Sequence, residues 1–133
     1  MRALAPDAVI LATGSVPLVL PIPGLADCGY VTAQDLLLGK TAAGRRVLVV
    51  GGGMVGCEAA EYLAERGHQV AIVEMKDVIA ADVTPENRRY MFRNFEENHV
   101  LLQPGAKVTR FYADGVDYAL ADGTAGSLRG YDT

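Results

Sequence analysis

Val47-Leu48-Val49-Val50-Gly51-Gly52-Gly53-Met54-Val55-Gly56 is the stretch on which the fold turns. Four consecutive aliphatic residues, three of them β-branched, describe a strand covered on both faces rather than one with a wet side. Glycines follow at once, and Val55, Ala59, Tyr62 and Leu63 then recur at helical spacing, so the strand is expected to turn directly into an amphipathic helix. Gly67 marks the end of that helix. Working outward, Val70-Ala71-Ile72-Val73 is a second buried strand that ends at Glu74. Thr84-Pro85 opens a second helix, with threonine at the N-cap and proline at the first helical position. Met91, Phe92 and Phe95 form its apolar stripe, and Val100-Leu101-Leu102 is a third strand. Strand, helix, strand, helix, strand is the pattern of a doubly wound parallel sheet.

On either side the pattern changes. Val108, Phe111, Tyr112, Val116, Tyr118 and Leu120 alternate loosely, interrupted by Asp114-Gly115 and Asp122-Gly123, both hairpin-turn signals. A small antiparallel β-meander is expected there. Upstream, Ala8-Val9-Ile10-Leu11-Ala12 meets Thr13-Gly14 and reads as a buried strand ending in a glycine turn. Pro17, Pro21 and Pro23 then stiffen an extended connector, with a short helix expected over Thr32 to Leu38. The fold class is therefore α/β: a Rossmann-like three-layer domain with a central parallel sheet and a small antiparallel β-meander. Residues 1–45 divide off as a leading strand and connector and residues 46–133 as the part that holds the parallel sheet and the meander, together one compact domain.

Composition sets the outer limits. A length of 133 residues fits one domain, and half of the residues are hydrophobic, enough for a core. A formal net charge of −4 argues against a nucleic-acid or anionic-membrane partner. Cys28 and Cys57 are far apart and form no C-x-x-C. The apolar run over residues 8–12 is too short to span a membrane and lacks the setting of a signal peptide, which leaves the cytoplasm as the expected compartment.

Gly51-Gly52-Gly53-Met54-Val55-Gly56 fits G-x-G-x-x-G, and its setting between a buried strand and a helix gives the pattern its meaning. Gly51 permits the tight turn, Gly53 lets a pyrophosphate approach the backbone, and Gly56 lets the helix pack against the strands. Phosphates would sit at the helix N-terminus, where free N–H groups and the helix dipole favour negative charge. Ala60 continues the small-residue contact with the sheet. Glu74 closes the second strand, about 20 residues on, where a carboxylate accepts from the adenosine ribose hydroxyls and repels a 2′-phosphate. NAD(H) is thus expected over NADP(H), a preference that Lys76 weakens.

With these residues in place, the chain resembles the NAD(P)H domain of the two-dinucleotide-binding-domain flavoproteins. More narrowly, it is similar to the pyridine-nucleotide region of NADH:flavin oxidoreductases of the 2,4-dienoyl-CoA reductase and 2-enoate reductase type, within the pyridine nucleotide-disulfide oxidoreductase-like superfamily. Asp7 to Gly14, with Ser15 and Pro17, matches the family's A-T-G segment joining the FAD and NAD domains. Ile22-Pro23-Gly24 and Val31-Thr32-Ala33-x-Asp35 match the crossover, and Val47 to Met75 matches the nucleotide-binding core. The resemblance implies that Glu58 lies near the nicotinamide carboxamide, and that Thr13, Gly14, Met75 and Lys76 join Gly51–Gly56 and Glu74 as cofactor-binding residues. It also implies a parent enzyme in which hydride passes from NADH to FAD and onward to an enoate or enoyl-CoA double bond. That parent carries an FAD-binding domain, an FMN-binding barrel and an iron–sulfur cluster, none of which these residues encode.

In relatives a further apolar strand opens where Tyr131-Asp132-Thr133 stands, so truncation there is expected, and residues 7–12 have the composition to occupy the vacant place beside the first strand, in the same chain or a neighbouring one. No catalytic acid or base is expected in the chain. His68 and His99 read as surface residues, and without flavin the chain should not turn over. A stand-alone nucleotide sensor, an S-adenosylmethionine-binding fold, and FAD in place of NAD(H) on the fingerprint remain as alternatives.

Overall fold

The computed structural model describes residues 6–133, so residues 1–5 of the expected leading segment lie outside the described residues. A short helix α1 (Ala33–Leu37) precedes the core. Strand β1 (Arg46–Val50), helix α2 (Met54–Ala64), strand β2 (Gln69–Val73), helix α3 (Pro85–Glu97) and strand β3 (Leu101–Gln103) then follow as the periodicity predicts. Strands β4 (Ala106–Tyr112), β5 (Gly115–Leu120) and β6 (Ala125–Arg129) follow.

β1, β2 and β3 form a parallel sheet in that order, with Arg46 opposite Gln69, Val50 opposite Val73, and Ala71 to Val73 opposite Leu101 to Gln103. Alternate residues of the sheet serve two separate cores. Val47, Val70 and Ile72 pack with Cys57, Ala60, Leu63, Met91 and Phe95 of the helices. Val73 and Leu48 face the other way, onto Ala106, Val108 and Val116. β4, β5 and β6 are the antiparallel sheet on that second face, with reversals that contain Asp114 and Asp122-Gly123. The order is helices, parallel sheet, meander, which is a Rossmann-like α/β arrangement in three layers. A sheet buried on both sides cannot alternate apolar with polar, which is why its strands read as continuous aliphatic runs.

The helices follow the expected boundaries with two adjustments. In α2 the buried stripe is Cys57, Ala59, Ala60, Leu63 and Ala64, whereas Val55 is 56% exposed. The small residues define the contact because α2 lies close against the strands. In α3, Thr84 holds the N-cap position with Pro85 behind it, but its hydroxyl makes no capping bond. Thr32, by contrast, caps α1 by accepting from Asp35 N–H at 3.1 Å.

The outer edge of β1 corrects the expectation for residues 7–12. Asp132 N–H donates to Arg46 O and Leu48 N–H donates to Thr133 O, each at 2.9 Å, so the last residues of the chain run along that edge. The Asp132 carboxylate also accepts from Arg45 and Arg46 N–H at 3.0 Å. Residues 7–12 form no strand and lie exposed, Ile10 at 90%. Backbone N–H and C=O groups need partners to make a strand, and the edge that would have supplied them is taken.

Candidate functional site

The site forms where β1 ends. Val50 leads into Gly51, whose φ of +109° lies in the region that side chains other than glycine avoid. Gly51 N–H donates to Val73 O at 2.9 Å, which holds the turn against the end of β2. Gly53 is the N-cap of α2 and has no side chain with which to cap it. A side chain at Gly56 would run into the Gly51 carbonyl oxygen and reach Val49, so the first turn of α2 lies directly on the strand end. Gly51 and Gly56 thus take the turning and packing roles that their spacing predicts.

Glu74 is drawn into the same turn. The residue as a whole is 8% exposed. One oxygen accepts from Gly52 N–H at 2.6 Å and the other from Lys76 N–H at 2.8 Å. Each oxygen keeps a further lone pair for another donor. The close approach also explains Gly52, since a Cβ there would stand 2.9 Å from Cβ of Glu74. The sequence pattern treats Gly52 as a free position; the Cβ and Cγ of Glu74 and the Cγ2 of Ile72 crowding it are what favour glycine there.

Two residues absent from the sequence reading complete the turn. Ala80, fully buried and with φ of +55°, donates its N–H to Gly52 O at 2.7 Å. Asp82 accepts from Met54 N–H through both carboxylate oxygens, at 3.0 and 3.2 Å, and so caps α2 from another segment. No local spacing rule joins position 82 to position 54; the connection exists because the chain after β2 folds back across the turn. Cys57 sits beneath, its thiol donating to Gly52 O at 3.4 Å. Burial, reinforced by the charge of Asp82, pushes that thiol up to about 11, which leaves it protonated and unreactive at neutral pH.

The remaining expected residues lie around this centre. Met54, Val55 and Glu58 are exposed on the first turns of α2, and Met75 and Lys76 are exposed after β2. Gly51, Gly53, Met54, Gly56, Glu58 and Asp82 share the wall of a cavity of about 1100 Å³ with the connector. Its wall on the N-terminal side begins at Ser15, one residue past Thr13-Gly14, which are exposed. The structure therefore unites the glycine turn, Glu58 and Asp82 at one opening, with Glu74 bonded to the turn from below. It leaves Thr13 and Gly14 outside. Among the described residues no group of three or more histidine, cysteine or acidic side chains could hold a metal ion. No helix there is long and apolar enough to cross a membrane.

Known proteins are similar to this chain in sequence and in architecture. An NADH oxidase of Thermoanaerobacter brockii is 40% identical over 135 residues, covering 98% of this chain and 21% of the relative. A bilirubin reductase of Mediterraneibacter gnavus is 40% identical over 118 residues, covering 89% of this chain and 18% of its own length. Among solved structures, a 2-naphthoyl-CoA reductase in complex with 2-naphthoyl-CoA superposes with a TM-score of 0.82 at 27% identity, over 90% of this chain and 18% of that one. The chain thus spans about a fifth of the length of the relatives it matches. Residues 2–131 match the sequence model of the pyridine nucleotide-disulphide oxidoreductases, and the chain belongs to that family.

Proposed function

We propose that this chain is the NAD(H)-binding domain of a flavin-dependent oxidoreductase. One observation carries the reading: the glycine turn and the Glu74 carboxylate are joined by the 2.6 Å bond from Gly52 N–H. That bond holds the acidic end of β2 against the glycine turn, which supports reading the two as one site for a diphosphate and its ribose. The turn Gly51–Gly56 cradles the diphosphate through the N–H groups that follow Gly52, since those of Gly51 and Gly52 are bonded to Val73 O and to Glu74, and Glu74 accepts from the adenosine ribose. Met75 and Lys76 flank that ribose, and Glu58 meets the carboxamide of the nicotinamide. The donor set fits the cofactor, because a turn built of glycines leaves no Cβ in the path of a diphosphate. The chemistry supplied there is hydride donation from NADH to an FAD held elsewhere in the parent protein. The chain's own contribution is to bind and orient; no side chain of the site is assigned a proton transfer.

The parent, in this reading, is cytoplasmic and places Thr13 and Gly14 at the junction with an FAD-binding domain. It carries an FMN barrel and an iron–sulfur cluster, and reduces an enoate or enoyl-CoA double bond. The 2-naphthoyl-CoA reductase among the solved relatives supports the acyl-CoA part of that assignment. Free Cys28 and Cys57 are in keeping with a reducing compartment. The isolated chain is expected to bind NADH without oxidising it.

Calorimetric titration with NADH, NADPH and S-adenosylmethionine tests the proposal. NADH binds, NADPH binds more weakly, and S-adenosylmethionine gives no heat. In Glu74→Gln the preference for NADH over NADPH falls by roughly an order of magnitude, because the charge opposing a 2′-phosphate is gone. Equal affinity for both nucleotides in the wild type, or an unchanged ratio in the variant, removes Glu74 from the ribose site. Binding of S-adenosylmethionine alone would reassign the fold's ligand.

A further inference from the structure

The N-terminus of α2 already carries an anion. Both Asp82 oxygens lie on Met54 N–H, at 3.0 and 3.2 Å. The same carboxylate is the group that a Cβ on Gly53 would meet first, at 3.3 Å. It therefore stands on the side of the turn where the missing side chain of Gly53 leaves room for a ligand. The segment bearing it is fastened down two residues earlier, where buried Ala80 is held at positive φ and donates to Gly52 O at 2.7 Å. That tether keeps the carboxylate close. Among the described residues no lysine or arginine forms an ion pair with Asp82. Its charge is thus answered mainly by the helix end itself.

We propose that Asp82 is an internal competitor for the diphosphate of NAD(H), a carboxylate that caps α2 in the empty site and must give up Met54 N–H when the dinucleotide binds. This rests on the reading of Gly51–Gly56 as the diphosphate cradle. Two anions cannot share one helix end without repulsion, and a carboxylate held by its own chain is always present at high local concentration. Asp82 lowers the affinity for every ligand that brings phosphates to the turn and favours release, while the empty turn keeps its shape because its leading amide stays satisfied. Ligands without phosphates are indifferent to it.

The test compares the wild-type chain with Asp82→Asn and Asp82→Ala in titrations with NADH, ADP-ribose and adenosine. Both substitutions are expected to tighten NADH and ADP-ribose by about two- to fivefold, the range of a single charge at a helix end, and to leave adenosine unchanged. The gain should shrink as salt rises from about 0.01 to 1 M, because screening weakens the repulsion that the wild type suffers. Thermal unfolding without ligand should move the other way, Asp82→Ala melting lower than wild type through loss of the cap. A purely structural Asp82 predicts weaker NADH binding together with lower stability. That result, or unchanged NADH affinity in both variants beside a wild type that binds, overturns the competitor. Failure of wild type and both variants alike to bind NADH overturns the cradle, and the competitor with it.

Discussion

Val47–Val50 and Ala8–Ala12 are alike as sequence: each is a short aliphatic run that ends at a glycine turn. Their fates are opposite. The first lies between β2 and the chain's last residues, with a core on each face. The second lies in water, with Val9, Ile10 and Leu11 each more than two-thirds exposed. The difference is one of partners rather than of propensity. Apolar runs become strands when a neighbour offers both a hydrogen-bonding edge and a face to bury against. β2 and the helices give β1 both, whereas residues 8–12 receive neither among the described residues, since Asp132 and Thr133 occupy the open edge.

That comparison breaks most sharply at the glycine that lets α2 meet the strand. Gly56→Val would force a side chain into the Gly51 carbonyl, and neither backbone segment can give way cheaply. A loss of more than about 3 kcal/mol is expected in urea unfolding, at or beyond the upper range for overpacking, together with loss of NADH binding. A variant of near wild-type stability would mean that the strand, turn and helix are less tightly joined than their geometry requires.

A pair of isoleucines sharpens the contrast. Ile72 is fully buried in β2 and Ile10 is 90% exposed. Ile72→Ala is expected to cost about 2–5 kcal/mol in denaturant unfolding, and Ile10→Ala to stay within about 0.5 kcal/mol of wild type. A substantial cost at Ile10 would reveal a partner for the leading segment and end the comparison.

The smallest effect is a slope. Cys57 is more basic in the folded chain, about 11 against an ordinary 9.0, because burial disfavours its thiolate. Between those values the folded state holds a proton that the unfolded state has released. Stability contributed by the neutral thiol is therefore whole below pH 9 and declines as pH rises towards 11, by no more than about 1.4 kcal/mol per pH unit. Urea midpoints measured over that window should fall more steeply for wild type than for Cys57→Ala. Parallel slopes would mean that the thiol is not desolvated beneath the turn.

Much of the nucleotide-binding core is legible from residue order. The aliphatic runs, the glycine spacing, the Thr84-Pro85 helix start and the Asp-Gly reversals each act over a few residues, and each appears where local chemistry places it. Glu74 is legible by its distance from the glycines, because the length of a strand–helix–strand unit is nearly constant. Its bond to Gly52 is not, and neither are the burial of Cys57 in place of Val55, the cap that Asp82 extends to Met54, or the choice of Asp132 and Thr133 over residues 7–12 as the neighbour of β1.

What the sequence determined by itself is thus the set of elements and the glycine turn that joins the first strand to its helix, since periodicity and glycine placement are properties of short stretches. What only the tertiary structure decided is which distant groups close on that turn and which segment lies beside β1. Those outcomes depend on competition among separated parts of the chain for the same amides, carbonyls and apolar faces, and no local pattern records the winner.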